Sequence, residues 1–170
     1  SRIEGGALRP DRDWYDAREL VRQVVDRLHS RAVATGHRLE SRIDPGVTLG
    51  YFDYVEIDQV LANLVENANK YTPAGSSIHV VVTAISEGLR FTVTDTGPGI
   101  PITQREQVFE KFYRATNVRG QQGTGIGLTI SRGLVEAHGG RIWIESVPNG
   151  GTAVVFTIPF DRSSLLEESS

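Results

Sequence analysis

The sequence predicts a mixed β-sheet with helices on one face, and two observations lead to that fold class. Segments whose apolar residues recur at helical spacing are interspersed with segments in which apolar and polar residues alternate as they do in strands. The strand-like segments come in pairs joined by tight turns, such as Ser86-Glu87-Gly88 and Asn149-Gly150. Tight turns join antiparallel strands, whereas a parallel doubly wound sheet needs long crossovers. We therefore expect a mixed sheet with helices on one face, and not a parallel doubly wound sheet.

The composition is that of one globular domain with short tails. The chain has 170 residues, 39% of them hydrophobic and 23% charged, which is enough for a proper core. A net charge of -3 gives no support for a nucleic-acid partner, and the absence of cysteine excludes disulfides and thiolate metal sites. The sequence has no apolar run of membrane-spanning length and no signal-peptide core, so we expect a cytoplasmic domain.

The first half of the chain predicts two amphipathic helices with two short strands between them. The first helix covers residues 14–35 and ends at Gly36, where a left-handed residue is favoured. The strands cover residues 38–44 and 47–52, on either side of a turn-forming Asp44-Pro45-Gly46. The second helix covers residues 54–70, where the apolar positions again follow helical spacing.

The second half predicts two hairpins and a third helix. In chain order they are a hairpin over residues 77–84 and 89–94, a helix over 127–138 closed by Gly139-Gly140, and a hairpin over 141–146 and 152–159. Residues 97–127 are rich in glycine, and only 104–113 have helical character. A loop this long inside a compact domain is uncommon unless it is functional, so we interpret it as a lid.

Two asparagines on the second predicted helix are candidates for a metal site. Asn63 and Asn67 lie one helical turn apart, with Lys70 and Tyr71 close by. An amide oxygen is a hard neutral ligand that suits Mg²⁺, Lys70 offers a mobile positive charge to phosphates, and Tyr71 offers a flat face to a base. The alternative is that these asparagines are only solvated polar positions on a surface helix.

Asp95 follows a predicted strand and precedes Gly97-Pro98-Gly99. A carboxylate there can accept a hydrogen bond from an adenine amino group, and the glycines let the backbone approach a ring closely. The alternative is a simple turn between a strand and a loop. Gly123-Thr124-Gly125-Ile126-Gly127 opens onto the third helix, whose free amides favour phosphate. Its spacing matches neither the dinucleotide fingerprint nor a P-loop, and a flexible hinge is the alternative.

The remaining polar residues carry weaker signals. Four basic side chains in the lid could screen a triphosphate or merely balance nearby glutamates; they are Arg105, Lys111, Arg114 and Arg119. The four histidines are scattered singly, fit neither a metal site nor a catalytic triad, and are interpreted as structural or surface positions; they are His29, His37, His79 and His138.

Taken in order, these motifs resemble the catalytic, ATP-binding domain of bacterial sensor histidine kinases. That family belongs to a superfamily that includes gyrase, heat-shock protein 90 and mismatch-repair ATPases. The segments that resemble its five sequence boxes are 63–71 (N box), 95–100 (G1), 108–114 (F), 123–128 (G2) and 149–152 (the final glycine box). The F box, Val108-Phe109-Glu110-Lys111-Phe112-Tyr113-Arg114, separates sensor kinases from the other branches. Residues 8–28 are loosely similar to potassium-responsive sensor kinases.

The resemblance implies a fold, cofactors and residue roles. The fold is a two-layer α/β sandwich, the Bergerat ATP-binding fold, with about five mostly antiparallel strands and about three helices on one face. The cofactors are ATP and Mg²⁺, with Asn67 as the metal ligand and with Lys70 and Arg114 as catalytic residues that contact phosphates. The residues implied in ATP binding are Asn63, Asn67, Lys70, Tyr71, Asp95, Gly97, Gly99, Ile100, Gly123, Thr124, Gly125, Gly127, Leu128 and Thr152.

One departure from the family concerns the phosphate acceptor. Sensor kinases of this kind phosphorylate a histidine in a preceding helical hairpin, and that histidine is followed by an acidic residue. No histidine in this chain has such a context, since Ser30 and Arg31 follow His29. The base credited in the reaction lies beside the same histidine, and Glu66 is a candidate assistant. We therefore expect the ATP-binding half of a larger protein.

The resemblance also implies a domain organisation and a set of partners. Residues 1–8 are expected to be the end of the acceptor hairpin, in its second helix, residues 9–160 the ATP-binding domain, and residues 161–170 a polar tail. The expected partners are ATP, the parent protein's own dimerisation domain and a response regulator, with the parent anchored in a membrane. Two alternatives stay open, namely a serine kinase of the anti-sigma type and a nucleotide-sensing module without phosphotransfer.

Overall fold

A computed structural model describes residues 2–4, 7–97, 103, 126–148 and 150–160. Its three helices are α1 (Ala17–Ala34), α2 (Tyr54–Tyr71) and α3 (Ile126–Ala137). The strands within these ranges are β1 (Arg2–Glu4), β2 (Ala7–Arg9), β3 (Asp13–Asp16), β4 (Arg38–Ile43), β5 (Leu49–Phe52), β6 (Ser77–Ile85), β7 (Gly88–Asp95), β8 (Ile142–Ser146) and β9 (Thr152–Pro159). None of the helices in the described ranges is both long and apolar enough to cross a membrane.

The main sheet has five strands in the order β4-β6-β7-β9-β8. Strands β4 and β6 are parallel, and the other three pairings are antiparallel. The central strand β7 pairs with β6 on one side and β9 on the other, so that Val93 lies between Val80 and Val154. The prediction of a mixed, mostly antiparallel sheet of about five strands is confirmed.

The core lies between this sheet and the three helices. Alternate residues of β6 and β7 are buried, as expected for strands with one covered face. The rings of Phe91 and Phe156 stack at 4.7 Å between centroids with an interplanar angle of 6°. From α2, Ile57, Val60 and Leu64 pack into the same cluster, at the spacing that the apolar pattern predicted.

The first helix begins later than its apolar pattern predicted. Residues 13–16 form β3, which pairs with β5 so that Trp14 lies opposite Tyr51. Aromatic residues favour strands, and Asp16 then caps the helix by accepting a hydrogen bond from the Arg18 amide at 2.9 Å. The predicted helix over residues 14–35 is therefore shortened to Ala17–Ala34.

The N-terminal segment also differs from expectation. Strands β1 and β2 pair antiparallel with Ile3 opposite Leu8, where the sequence suggested the end of a helix. Glycine is a poor helix former, and the sequence of this segment contains two adjacent glycines. The assignment of residues 1–8 to an acceptor hairpin stays a prediction.

Candidate nucleotide-binding site

Helix α2 carries four of the predicted site residues. Asp53 caps the helix by accepting a hydrogen bond from the Glu56 amide at 3.1 Å, and the buried face of the helix fixes its rotation against the sheet. That rotation leaves Asn63 and Asn67 half-buried, one turn apart at the edge of the packed face. Near the end of the helix, Lys70 is exposed, with its Nζ 5.7 Å from the centroid of the half-buried Tyr71 ring.

Asp95 is the last residue of β7 and is buried, with 9% of its surface exposed. Its Oδ1 accepts a hydrogen bond from the Gly97 amide at 2.9 Å. Burial raises the pKa of the Asp95 carboxyl, while hydrogen bonds from the backbones of Gly97 and Thr152 oppose that rise. Within the described residues no cation forms an ion pair with Asp95, so its carboxylate keeps acceptor capacity for a neutral donor such as an amine.

Close backbone approaches bring three segments together around Asp95. A Cβ added to Gly97 would overlap the Cγ2 atom of Thr72, just after α2. A Cβ added to Gly151 would overlap the carbonyl oxygen of Asp95, and Gly151 has a φ of 102°. Thr152 pairs directly with Asp95 across β7 and β9. The end of α2, the end of β7 and the glycine turn before β9 therefore meet at one place.

The N-terminal end of α3 supplies two more predicted residues. Gly127 lies in the first turn of the helix, and Leu128 packs half-buried against the core. The other six predicted site residues fall outside the described residues; they are Gly99, Ile100, Arg114, Gly123, Thr124 and Gly125. Most of the predicted lid and the whole F box also lie outside the described residues.

His138, just after α3, ties that helix to α2. It is fully buried, its Nε2 accepts a hydrogen bond from the Asp53 amide at 3.1 Å, and its Nδ1 lies 2.8 Å from the Leu134 carbonyl oxygen. Because a carbonyl can only accept, Nδ1 carries the proton. Burial lowers the pKa of His138, which keeps the ring neutral. The interpretation of His138 as structural agrees with this geometry.

Sequence reasoning missed Thr72 and Asp53 as parts of the site's framework. The Thr72 hydroxyl donates to the Ala68 carbonyl at 2.6 Å and its methyl group faces Gly97. The available signal for Asp53 was its position before the first apolar residue of α2, which is that of an N-cap. Thr72 gave no comparable signal, since a threonine after a helix is common in any loop.

The oxygen donors at this site fit a magnesium ion that is bound mainly by nucleotide phosphates and water. Among the described residues, no cluster of three or more His, Asp or Glu side chains could hold a metal. Mg²⁺ commonly keeps several waters and takes one or two protein oxygens in addition to phosphate oxygens. The half-buried Asn67 can supply one such oxygen beside the exposed Lys70.

A mixed sheet with helices on one face, a buried strand-end carboxylate and a glycine turn against it define an ATP-binding α/β sandwich. The family model for histidine kinase-, DNA gyrase B-, and HSP90-like ATPases matches residues 52–162. The adaptive-response sensory kinase SasA of Trichormus variabilis is 38% identical over 82% of this chain and 35% of its own length. The chain therefore belongs to that ATPase family, as a histidine kinase catalytic domain.

Solved structures give the same assignment. Full-length ShkA in complex with AMPPNP matches with a TM-score of 0.80 at 31% identity, over 91% of this chain and 32% of that one. Histidine kinase ThkA in complex with the response regulator protein TrrA matches with a TM-score of 0.76 at 27% identity, over 89% of this chain and 42% of that one. The predicted family and the two-layer fold are confirmed. The chain spans about a third of the length of the curated relatives it matches.

Proposed function

We propose that this domain binds Mg²⁺–ATP and donates the γ-phosphoryl group to a histidine of the parent sensor kinase's dimerisation domain. The phosphoryl group then passes to an aspartate of a response regulator. The observation that carries this proposal is the environment of Asp95, a buried carboxylate without a cationic partner among the described residues. Such a carboxylate can accept a hydrogen bond from an adenine amino group.

The other residues divide between base, phosphates and metal. Tyr71 and Leu128 lie at the end of α2 and the start of α3, where they can supply apolar surface to the adenine ring. The exposed ammonium of Lys70 can extend toward phosphate oxygens. Asn67 would hold Mg²⁺, which neutralises phosphate charge when bound. Arg114 and the glycines of the lid complete the proposed phosphate site.

The transfer itself exchanges one bond for another. A nitrogen–phosphorus bond forms to the acceptor imidazole, whose other ring nitrogen releases its proton to water or to a base in the dimerisation domain. The bond from phosphorus to the bridging oxygen breaks, so that ADP leaves with that electron pair. Within this chain the contribution is positioning and charge stabilisation. Glu66 is exposed and lies 3.6 Å from Arg31 in an ion pair, and we assign it no step.

The comparisons support the nucleotide and the response-regulator partner by analogy. ThkA forms a complex with a response regulator, and ShkA binds AMPPNP, an ATP analogue with a nitrogen between its last two phosphates. We carry both properties over to this protein. Attachment of the parent protein to a membrane would depend on segments beyond this chain and stays a prediction.

Phosphotransfer to a supplied acceptor tests the proposal. The chain is incubated with γ-labelled ATP, Mg²⁺ and the dimerisation domain of its parent protein, and the label on that domain is followed through acid and base treatment. We expect a label that is lost in acid and kept in base, as for phosphohistidine. An acid-stable label would favour the serine kinase alternative, and tight ATP binding with no label would favour a nucleotide-sensing module.

A further inference from the structure

The buried imidazole of His37 lies behind the proposed adenine site, on the turn between α1 and β4. The residue is 5% exposed. Its Nε2 lies 2.9 Å from the Thr72 hydroxyl and 3.0 Å from the Thr72 carbonyl oxygen, and its Nδ1 lies 2.9 Å from the Thr35 hydroxyl. A carbonyl oxygen cannot donate, so Nε2 carries a proton and donates it to Thr72.

Thr72 is held in one rotamer by these contacts. Its hydroxyl donates to the Ala68 carbonyl at 2.6 Å and accepts from His37, so both of its hydrogen-bonding roles are filled. With Oγ1 fixed, the staggered geometry of the side chain fixes Cγ2 as well. That methyl group packs against Gly97 closely enough to leave no room for a Cβ. His37 therefore determines the surface on which Gly97 rests.

Gly97 in turn orients Asp95. Its amide donates to Asp95 Oδ1 at 2.9 Å. A continuous path of contacts thus leads from His37 through Thr72 and Gly97 to the carboxylate.

We propose that His37 is a positioning residue for nucleotide recognition, which holds Asp95 in place through Thr72 and Gly97. This inference rests on the proposed function, because Asp95 is the group expected to bind adenine. Without the imidazole donor, the Thr72 side chain can adopt another rotamer, Gly97 loses its support, and the carboxylate is no longer held by its amide. Affinity for the adenine ring falls, while contacts to the phosphates are unchanged.

The surrounding backbone makes the test practicable. The segments on either side of His37 and Thr72 are joined by backbone hydrogen bonds from Gly75 to Gly36 at 2.8 Å and from Arg38 to Ser76 at 3.1 Å. These bonds do not involve the imidazole. Substitution of His37 is therefore expected to leave the two segments in contact and to act on Thr72.

Two amide substitutions separate the two ring nitrogens. In His37→Gln the side-chain amide reaches the position of Nε2 and can still donate to Thr72, whereas in His37→Asn it reaches only the position of Nδ1. His37→Leu removes both contacts at similar volume. His79→Leu is a matched control, because His79 lies on the partly exposed face of β6, away from Thr72.

ATP titration by calorimetry gives the first readout. We expect His37→Leu and His37→Asn to weaken ATP binding roughly threefold to tenfold, the factor that one net hydrogen bond provides. His37→Gln and His79→Leu should bind as the wild type does. Equal affinities for all variants, with only the Tm of the His37 variants lowered, would overturn the inference and leave His37 as a packing residue.

A second readout does not need nucleotide. In the nucleotide-free protein, the Gly97 amide resonance should shift in His37→Leu and Thr72→Val, and the double variant should add nothing, because both changes break the same path. His37→Gln should leave the resonance in place. An unmoved Gly97 resonance in His37→Leu would overturn this inference, whether or not the wild type binds ATP. A wild type that binds no ATP would instead contradict the proposed function.

Discussion

The backbone of Gly151 lies directly against the carbonyl oxygen of Asp95, so the turn before β9 forms a wall behind the proposed adenine anchor. The positive φ of 102° at Gly151 turns the chain so that Thr152 can pair with Asp95. Only a residue without a Cβ can approach that oxygen so closely. The final glycine turn therefore supports the site through the main chain.

Gly151→Ala is expected to weaken both ATP binding and stability. The added methyl group would overlap the Asp95 carbonyl and also suffer the strain of a positive φ. Gly75→Ala is the matched control, because Gly75 has a φ of 93° with nothing within 4 Å of an added Cβ. Both variants should lose Tm, but only Gly151→Ala should lose ATP affinity in calorimetry. Equal affinities would show that the turn does not support the site.

Asp95→Asn should separate binding from stability. An amide donor where an acceptor is needed should weaken ATP binding by roughly 10-fold to 100-fold, the range for a hydrogen bond to a charged group. Any binding of GTP should change less, since the guanine ring carries no amino group at that position. The raised pKa of Asp95 means that its charge is costly in the fold, so the Tm at pH 7.5 should not fall. Equal losses of affinity for ATP and GTP would show that Asp95 does not bind the adenine amino group.

Asn67→Ala is expected to act on the metal. With the amide oxygen gone, Mg²⁺-dependent phosphotransfer should fall by at least tenfold, whereas ATP binding in EDTA should change by less than about threefold. Asn69→Ala is the matched control on the same helix, because its Oδ1 accepts from Thr35 at 3.1 Å instead. If both variants lost activity equally, the metal assignment would be wrong.

Glu56 should make stability depend on pH. Burial and the neighbouring Asp53 carboxylate raise the pKa of Glu56 from 4.5 to about 6. The folded protein therefore holds this proton more tightly than the unfolded chain does, so the contribution to stability is present below pH 4.5 and is lost as the pH rises through 6. Glu56→Gln avoids that loss, and its Tm gain over the wild type should be larger at pH 7.5 than at pH 5.

The contribution of His138 to stability depends on pH in the opposite direction. Its lowered pKa gives a contribution to stability that is present above its ordinary pKa of 6.5 and is lost as the pH falls. The wild type and the Glu56→Gln variant both contain His138, so its contribution cancels when their Tm values are compared at the same pH. Glu136→Gln, at an exposed i,i+4 pair with Arg132, is the control and should show the same Tm difference at both values. A Tm gain for Glu56→Gln that did not change with pH would contradict the pKa assignment.

Local patterns predicted most of the fold, and tertiary contacts explain what they missed. Alternation identified β6 and β7, and Asn149-Gly150 located the last hairpin, because turns and exposed faces leave their mark within a few residues. Trp14 was assigned to a helix because its strand partner, Tyr51, lies 37 positions away in the sequence and no local pattern reveals that pairing. Strand preference depends on such neighbours more than helix preference does.

The site divides in the same way. Asp95 and Asn67 lie in motifs that are visible in the sequence. A carboxylate predicts a hydrogen-bond acceptor, and an amide oxygen predicts a ligand for Mg²⁺. The contact of His37 with Thr72 joins two loops, and it exists only because α1 and α2 end beside each other. A single histidine before a strand gives no sign of that partner, so it was interpreted only as structural or surface.

Titration of the chain with ATP, with and without Mg²⁺, tests the central claim most directly. We expect saturable binding that Mg²⁺ alters and that Asp95→Asn weakens by roughly 10-fold to 100-fold, measured by calorimetry on the same preparation that gives a cooperative Tm. Absence of binding at millimolar ATP by a folded chain would contradict it, and so would binding that Asp95→Asn leaves unchanged.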